Sequence, residues 1–158
     1  MLHILCGKMA SGKTTLSKKL RDEHDAILIS EDIWLAKLYG EEISSFEDYI
    51  KYTKRLRETL FEHVIELLDK EIDVVLDFSA NTVRQRAWFR KIFEMAGVEH
   101  TLHYIVASDA LCKKQLKQRS KGLPKGSKFI TEEEFDMITQ YFEEPLDVEG
   151  FNINRVEK

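Results

Sequence analysis

The chain has little cysteine and little proline. Its 158 residues include two prolines and two cysteines, Cys6 and Cys112. The two cysteines have neither the spacing of a metal site nor the pattern of a disulfide framework, so we interpret both as reduced thiols, with Cys6 buried in a first strand. A disulfide-stabilised secreted domain is therefore excluded, and a cytoplasmic setting is expected.

Long apolar runs are also lacking. No stretch reaches the roughly 18 consecutive apolar residues of a membrane span. The short apolar run at the N-terminus leads directly into a glycine-containing loop, which is not a signal-peptide pattern. Internal repeats, low-complexity tracts and linkers are missing as well. We therefore expect no membrane partner and a single domain over residues 1–158.

The overall charge is weakly acidic. The net charge is -4, with 43% hydrophobic and 33% charged residues, which is the composition of a globular domain. An acidic balance argues against a general nucleic-acid binder, although it leaves a local basic groove open.

The most informative stretch follows the apolar run Ile4–Cys6. It has P-loop spacing, Gly, four residues, then Gly-Lys-Thr, at Gly7, Gly12, Lys13 and Thr14. Glycine lets the main chain turn sharply and approach a triphosphate. Loop N–H groups and a helix start direct positive dipole at the phosphates, Lys13 adds charge, and the Thr14 hydroxyl can ligate Mg²⁺. The spacing predicts a site for a nucleoside triphosphate and Mg²⁺.

The nucleotide is expected to contact the whole loop. An alternative, a glycine turn before a basic helix, is disfavoured because Leu16 and Leu20 indicate a helix directly after the strand and the loop. The expected nucleotide-binding residues of the loop are Gly7, Lys8, Met9, Ala10, Ser11, Gly12, Lys13, Thr14 and Thr15.

A carboxylate, Asp32, follows the predicted second strand, Ala26–Ser30. Open α/β sheets bind ligands beyond the carboxyl ends of their strands, so Asp32 lies on the P-loop edge if the two strands are parallel. Two roles stay open at this point. Asp32 is a catalytic base, or Ser30, Glu31 or Asp32 simply caps the next helix.

A second carboxylate closes the β-branched run Ile72–Phe78. Asp77 stands where P-loop enzymes hold Mg²⁺, directly or through water, opposite the Thr14 hydroxyl. An ordinary turn aspartate is the alternative. We favour the metal role because the P-loop already implies Mg²⁺.

Two helical segments flank this run. Residues 46–70 have apolar residues at helical spacing, and the aromatic residues Phe46, Tyr49 and Tyr52 favour core packing over a pocket wall. The later helix, capped by Asn81 or Thr82, carries Arg84 and Arg86 in its first turns. Arginine there opposes the helix dipole, so either an anionic partner or a solvated face is indicated.

A fourth strand, Thr101–Ala107, follows Gly97, the predicted end of that helix. His103 lies inside the strand and is interpreted as structural, because no Cys or Asp partner pattern accompanies it. The other histidines are also left outside the site: His3, His24, His63 and His100.

Charge separates sharply near the C-terminus. Residues 110–128 hold seven basic and no acidic residues, and residues 131–149 hold eight acidic and no basic residues. Glycines and a proline in the basic part favour a lid over a nucleotide at about residues 119–130, with Arg119 as its phosphate-binding residue. Lysines that contact nearby acids are the alternative. Thr131 is expected to cap the next helix, and residues 151–156 to form a last strand.

The sequence combines five strands that alternate with helices, a P-loop after the first strand, and an Asp after the second and third strands. This combination resembles the small P-loop kinases that include chloramphenicol phosphotransferase, the phage polynucleotide 5′-kinase domain and zeta toxin. The resemblance spans nearly the whole chain. It implies an α/β, three-layer P-loop NTPase fold: a five-stranded parallel sheet flanked by helices, with a basic lid. It also implies an ATP-dependent kinase with Mg²⁺ and an alcohol acceptor.

The resemblance implies that Asp32 acts as general base. It places six further side chains around the phosphates, the metal and the acceptor: Lys13 and Arg119 on the transferred phosphoryl, Thr14 and Asp77 on Mg²⁺, and Arg84 and Arg86 near the acceptor or γ-phosphate. Two departures matter. The chain is compact beside zeta toxins, and lysines follow Arg119 where family lids often have a second arginine.

Three functions follow as hypotheses. The leading one is a kinase that transfers the γ-phosphoryl of ATP to a small-molecule hydroxyl. The second is phosphorylation of a nucleic-acid 5′-hydroxyl, which the net acidity disfavours. The third is a nucleotide-binding switch or toxin component that acts through a protein partner.

Overall fold

Five strands form one parallel sheet in the computed structural model, which describes residues 1–121 and 130–158. Every neighbouring pair in the order β2-β3-β1-β4-β5 is parallel. The strands are β1 (Leu2–Cys6), β2 (Ile27–Ser30), β3 (Val74–Asp77), β4 (His100–Val106) and β5 (Ile153–Glu157). The predicted fold class is confirmed, and β1, which leads into the P-loop, is the central strand.

Six α-helices and one 3-10 helix (Asp147–Glu149) lie in the described residues. The α-helices are α1 (Lys13–His24), α2 (Glu31–Tyr39), α3 (Phe46–Asp69), α4 (Val83–Ala96), α5 (Asp109–Lys121) and α6 (Glu132–Thr139). Within these same residues, none of the helices combines the length and apolar character that crossing a membrane requires.

The helix ends follow the capping chemistry of the sequence. The Thr82 hydroxyl accepts a hydrogen bond from the Gln85 amide at 3.1 Å, which decides between Asn81 and Thr82 as the cap of α4. Thr131 caps α6 in the same way. Gly97 ends α4 with φ of 65°, a left-handed conformation that favours glycine.

The two faces of the sheet are covered by different helices. Leu5 and Val75 pack against Leu16 and Leu20 of α1 on one face. The larger core lies on the other face, where α3 and α4 cover β1, β3 and β4. Cys6, buried there, is a free thiol as predicted. A sheet between two helical layers follows from strands that are apolar on both faces.

The topology brings three strand ends to one edge. In the register of β2 and β3, Ser30 pairs with Asp77. The adjacent strand β1 ends at Cys6, immediately before the P-loop. Asp32, Asp77 and the P-loop therefore share one edge of the sheet, as parallel strands require.

Candidate functional site

The loop between β1 and α1 favours glycine at two positions, one because of a close neighbouring side chain and one because of its backbone conformation. A Cβ on Gly7 would lie 2.6 Å from the Ser11 hydroxyl oxygen, and Gly12 has φ of 108°. Ala10 also has a positive φ, 60°. The amide of Ser11 donates to the Lys8 carbonyl at 3.1 Å, which closes the turn. The glycine spacing thus produces the tight loop that it predicts.

Lys13 lies across this loop. Its ammonium group donates to the carbonyls of Gly7 at 2.6 Å and Lys8 at 3.0 Å. Burial lowers the pKa of Lys13, while the nearby Asp77 carboxylate raises it. The carbonyls of Gly7 and Lys8 thus hold the Lys13 ammonium group against the loop.

Thr14 and Asp77 meet between α1 and the end of β3. The Thr14 hydroxyl donates to Oδ2 of Asp77 at 3.2 Å. Burial raises the pKa of the Asp77 carboxyl, although the Thr14 hydrogen bond and the Lys13 charge lower it. A hydroxyl and a carboxylate at this separation are oxygen ligands of the kind that Mg²⁺ prefers, so the donor set fits the ion.

Asp32 is the second residue of α2 and is exposed. The cap of this helix is Ser30, whose hydroxyl accepts from the Ile33 amide at 3.5 Å, so capping does not require Asp32. The Asp32 charge acts on both Lys13 and Asp77, raising the pKa of each. Asp32 is therefore within electrostatic reach of Lys13 and Asp77.

The aromatic residues at the start of α3 divide. Tyr49 and Tyr52 pack against the main core, and Tyr52 stacks on Tyr39. Phe46 is 74% exposed, so core packing holds for the two tyrosines only. Burial, together with the charges of Glu31 and Asp32, raises the pKa of Tyr49 to about 12.

A buried ion pair supports the edge of the sheet. Arg57 of α3 donates to Glu31 at 2.8 Å and to the Ser79 carbonyl at 2.8 Å, and Glu31 accepts from the Ser79 amide. The guanidinium group also lies over the rings of Phe78 and Trp88. The sequence did not reveal the pairing of Arg57 with Glu31, because charged residues in amphipathic helices are ordinarily solvated.

Asn81 joins the P-loop to the segment before α4. Its side-chain oxygen accepts from the Gly7 amide at 3.0 Å, and its own amide donates to Gln85 at 2.9 Å. Gln85 also accepts from the Ser79 hydroxyl at 3.0 Å. Sequence reasoning treated Asn81 only as a cap candidate, since a contact across 74 residues leaves no local signal.

Arg86 requires a correction. It was expected near the acceptor or the γ-phosphate, but it is fully buried, donates to the Ala80 carbonyl and forms a two-fold ion pair with Glu149 at 2.8 and 3.1 Å. Its guanidinium group bonds to Glu149 and to the Ala80 carbonyl, so Arg86 holds α4 to the 3-10 helix. Arg84, two residues earlier and on a different face of the helix, is exposed.

The predicted lid lies largely outside the described residues, which omit 122–129. Arg119 is in the last turn of α5 and is exposed. Basic side chains of α5 do pair with the acidic helix α6: Lys113 with Asp136 at 2.8 Å and Lys117 with Glu132 at 2.9 Å. These ion pairs explain part of the separation between the basic residues 110–128 and the acidic residues 131–149. They agree with the alternative interpretation, in which the lysines contact nearby acids.

Two more lysines lie at the loop. Lys8 pairs with Asp109 at 2.7 Å. Lys158 follows β5, and its ammonium nitrogen would lie 3.2 Å from a Cβ on Gly12. The sequence gives no local sign that Lys158 lies near the P-loop. The strand order explains it, because β5 pairs with β4 and β4 pairs with β1.

The family comparison agrees with this geometry. Residues 2–145 match a family model described as an AAA domain. The chain belongs to this AAA domain family. A P-loop in a domain of this family implies nucleotide binding. A search of curated proteins gave no match.

Solved structures show the same fold at low identity. A candidate kinase from Chloroflexus aurantiacus aligns with a TM-score of 0.77 at 18% identity over 99% of this chain and 86% of its own. A gluconokinase from Sinorhizobium meliloti aligns with a TM-score of 0.62 at 15% identity over 98% and 81%. Kti12 of Chaetomium thermophilum, in complex with ADP-AlF3, aligns with a TM-score of 0.69 at 17% identity over 99% and 89%.

Proposed function

We propose that this AAA-domain protein is an ATP-dependent kinase, a single domain over residues 1–158, that transfers the γ-phosphoryl group to a hydroxyl of a small molecule. The observation that carries the proposal is the 3.2 Å contact between the Thr14 hydroxyl and the Asp77 carboxylate, with Lys13 on the adjacent loop and Asp32 on the same edge. Phosphoryl transfer needs little else from the protein than positioning and charge stabilisation.

The donor half of the site consists of the P-loop, Lys13, Thr14 and Asp77. Loop amides and Lys13 would bind the β- and γ-phosphates, and Thr14 and Asp77 would hold Mg²⁺. The ion would neutralise charge on the phosphate oxygens during transfer. Kti12, which has this fold, binds ADP-AlF3, and that supports a nucleotide on the same loop here.

Asp32 is proposed as the general base on the acceptor half. It is exposed, it is not needed as a cap, and its charge reaches Lys13 and Asp77. The acceptor oxygen would form a bond to the γ-phosphorus while the bond from that phosphorus to the β–γ bridging oxygen breaks. The hydroxyl proton would pass to Asp32, ADP would leave, and the proton would go to water.

The exposed arginines complete the proposal. Arg84 in the first turn of α4 and Arg119 in the last turn of α5 would bind anionic groups of the acceptor or the phosphates. Arg86 is excluded from this role by its pairing with Glu149. The gluconokinase and the sugar kinase from Janibacter among the structural relatives support a polyhydroxylated, sugar-like acceptor.

A screen for ATP consumption with sugars and sugar acids, nucleosides, antibiotics and oligonucleotides would test the proposal. Mg²⁺-dependent formation of ADP with a phosphorylated small molecule is expected. Turnover only with oligonucleotides would transfer the assignment to a nucleic-acid kinase. Tight ATP binding without any acceptor would instead support a switch that acts through a protein.

Asp32→Asn tests the general base once an acceptor is known. We expect unchanged binding of ATP with Mg²⁺ and a loss of turnover of at least about a hundredfold. Asp69→Asn is the matched control, because Asp69 is an exposed carboxylate at the end of α3. If Asp32→Asn and Asp69→Asn turn over the acceptor equally fast, Asp32 takes no part in the chemistry.

A further inference from the structure

A second polar cluster lies at the other end of the sheet. It consists of His3 near the start of β1, His24 in the last turn of α1, and Asp73, which directly precedes β3. Gly7 lies four residue steps beyond His3 along the extended chain, a distance of about 13 Å. The cluster is therefore separate from the P-loop edge and takes no part in the proposed transfer.

The ligand atoms of the cluster are close together. One nitrogen or oxygen from each of His3, His24 and Asp73 lies within 4.8 Å of the others. The rings of His3 and His24 are 4.4 Å apart between centroids. His3 is only 2% exposed, while His24 is exposed and Asp73 is half-buried. The cluster thus has a buried inner member and an outer member open to solvent.

One atom of this cluster lacks a partner. Nε2 of His3 is buried and has no hydrogen-bond partner among the described residues. Leaving a polar atom buried and unpaired destabilises the folded state, so each such case calls for an explanation. The other ring nitrogen of His3 is satisfied, since Nδ1 lies 3.1 Å from Nε2 of His103.

We propose that His3, His24 and Asp73 bind a divalent transition-metal ion of the Zn²⁺ class. Two imidazoles and a carboxylate are a donor set that Zn²⁺ accepts, with water as a fourth ligand. Donor atoms about 2.0–2.1 Å from a tetrahedral ion lie about 3.3 Å apart, so any present separation that is longer, up to the 4.8 Å limit of the cluster, must contract. The exposed side chain of His24 can supply that movement by rotation.

The surroundings of His3 suit a metal ligand. The ring is buried and its Nδ1 is fixed by the 3.1 Å contact with Nε2 of His103, so Nε2 is the ring nitrogen that remains without a partner among the described residues. Metal binding at Nε2 requires the His3 tautomer with hydrogen on Nδ1, which donates to Nε2 of His103; His103 then carries its own hydrogen on Nδ1, and the side-chain amide of Asn154 must turn its oxygen toward that nitrogen. Metal-binding histidines usually have such a second partner that fixes the ring.

Asp73 is shared with another group. Its Oδ1 accepts from the amino group of Met1 at 2.8 Å. The second carboxylate oxygen can still ligate an ion. A bound ion would link β1, the end of α1 and the start of β3, so its effect would be on stability rather than on catalysis.

The test uses the untagged full chain without nucleotide and Co²⁺ as the probe, since Co²⁺ reports its coordination by visible absorption. We expect one equivalent of Co²⁺ with a tetrahedral-type spectrum, displaced by Zn²⁺, and a higher melting temperature with Zn²⁺. His24→Ala should weaken binding at least about tenfold and abolish the melting shift. Because His24 is exposed, this variant is expected to fold.

Two controls separate the site from other metal binding. His63→Ala removes an exposed histidine of α3 and should bind Co²⁺ like the unchanged protein. Asp77→Asn should also retain the spectrum, because it changes only the P-loop edge. The proposal fails if no equivalent binds, if His24→Ala binds as tightly as His63→Ala, or if Asp77→Asn removes the signal. None of these outcomes depends on kinase activity.

Discussion

The ionised carboxylate of Asp77, which is the form that its proposed role requires, lowers the stability of the folded protein. The carboxylate is half-buried beside Thr14, and the neighbouring charges of Asp32 and Glu31 add to the effect of burial in raising its pKa. The ionised form is therefore disfavoured in the folded protein compared with the unfolded chain. A bound cation would remove that cost, as is expected if Asp77 holds Mg²⁺.

Asp77→Asn should therefore raise the melting temperature of the nucleotide-free protein at neutral pH and weaken Mg²⁺ binding about tenfold or more. The pH dependence has a definite sign. The cost of the ionised carboxylate is full above the raised pKa and disappears as the pH falls toward the ordinary aspartate value of about 3.9. The gap in melting temperature between the two proteins should narrow in acid. A gap that widens in acid would contradict this account of Asp77.

Gly12 can be tested against a glycine in the same backbone region. Gly12→Ala and Gly97→Ala both put a side chain at positive φ, 108° and 65° respectively, and each should lower the free energy of unfolding by about 1–3 kcal/mol. Only Gly12 lies on the phosphate loop, where the new Cβ would also approach Lys158. Calorimetric titration should show weaker ATP binding for Gly12→Ala and unchanged ATP binding for Gly97→Ala. Equal affinities in the two variants would mean that the loop does not bind the nucleotide.

Helices α2 and α3 are fixed to the end of β3 by the pair of Glu31 and Arg57. Both side chains are nearly buried, at 3% and 10% exposure, and both bond to the main chain of Ser79. A buried ion pair is weak evidence for net stabilisation, but the loss of one partner leaves an uncompensated charge. The pair therefore acts to hold the segment between Asp77 and Asn81 in place beneath the site.

Arg57→Ala should cost about 3–5 kcal/mol in urea denaturation, because Glu31 is left buried and unpaired. Adding Glu31→Leu to that variant should recover part of the loss, since the unpaired charge is then gone. Lys54→Ala, which breaks the exposed pair with Glu58 on the same helix, should change the midpoint little. If the double variant is less stable than Arg57→Ala, the unpaired charge is not the cause.

The elements themselves could be read from the sequence because their signals are local. Apolar runs predicted the strands, helical spacing predicted α3, and Thr82, Gly97 and Thr131 marked helix ends. The pairing of Arg86 with Glu149 across 63 residues, and of Arg57 with Glu31 across 26, has no such signal. Packing between distant elements decides which arginine faces solvent and which lies in the core. The candidate site was therefore easier to predict at the P-loop than at α4.

The strand order ties both ends of the chain to one loop. The segment at Gly7 bonds to Asn81, Thr14 contacts Asp77, and Lys158 lies near Gly12 after β5 pairs with β4. A ligand bound at the loop would therefore engage segments from the first, middle and last thirds of the chain. Its binding energy should stabilise the molecule as a unit, not only the loop.

ATP with Mg²⁺ at about 100 times its dissociation constant should stabilise the folded chain by about 2.7 kcal/mol. For a domain of this size that corresponds to a rise in melting temperature of roughly 5–10 °C, in a single transition. In Asp77→Asn the part of the rise that requires Mg²⁺ should be smaller, although the unliganded variant melts higher. Differential scanning calorimetry with and without Mg²⁺ measures both quantities. A rise that is the same with and without Mg²⁺ in the unchanged protein would mean that Thr14 and Asp77 do not hold the ion.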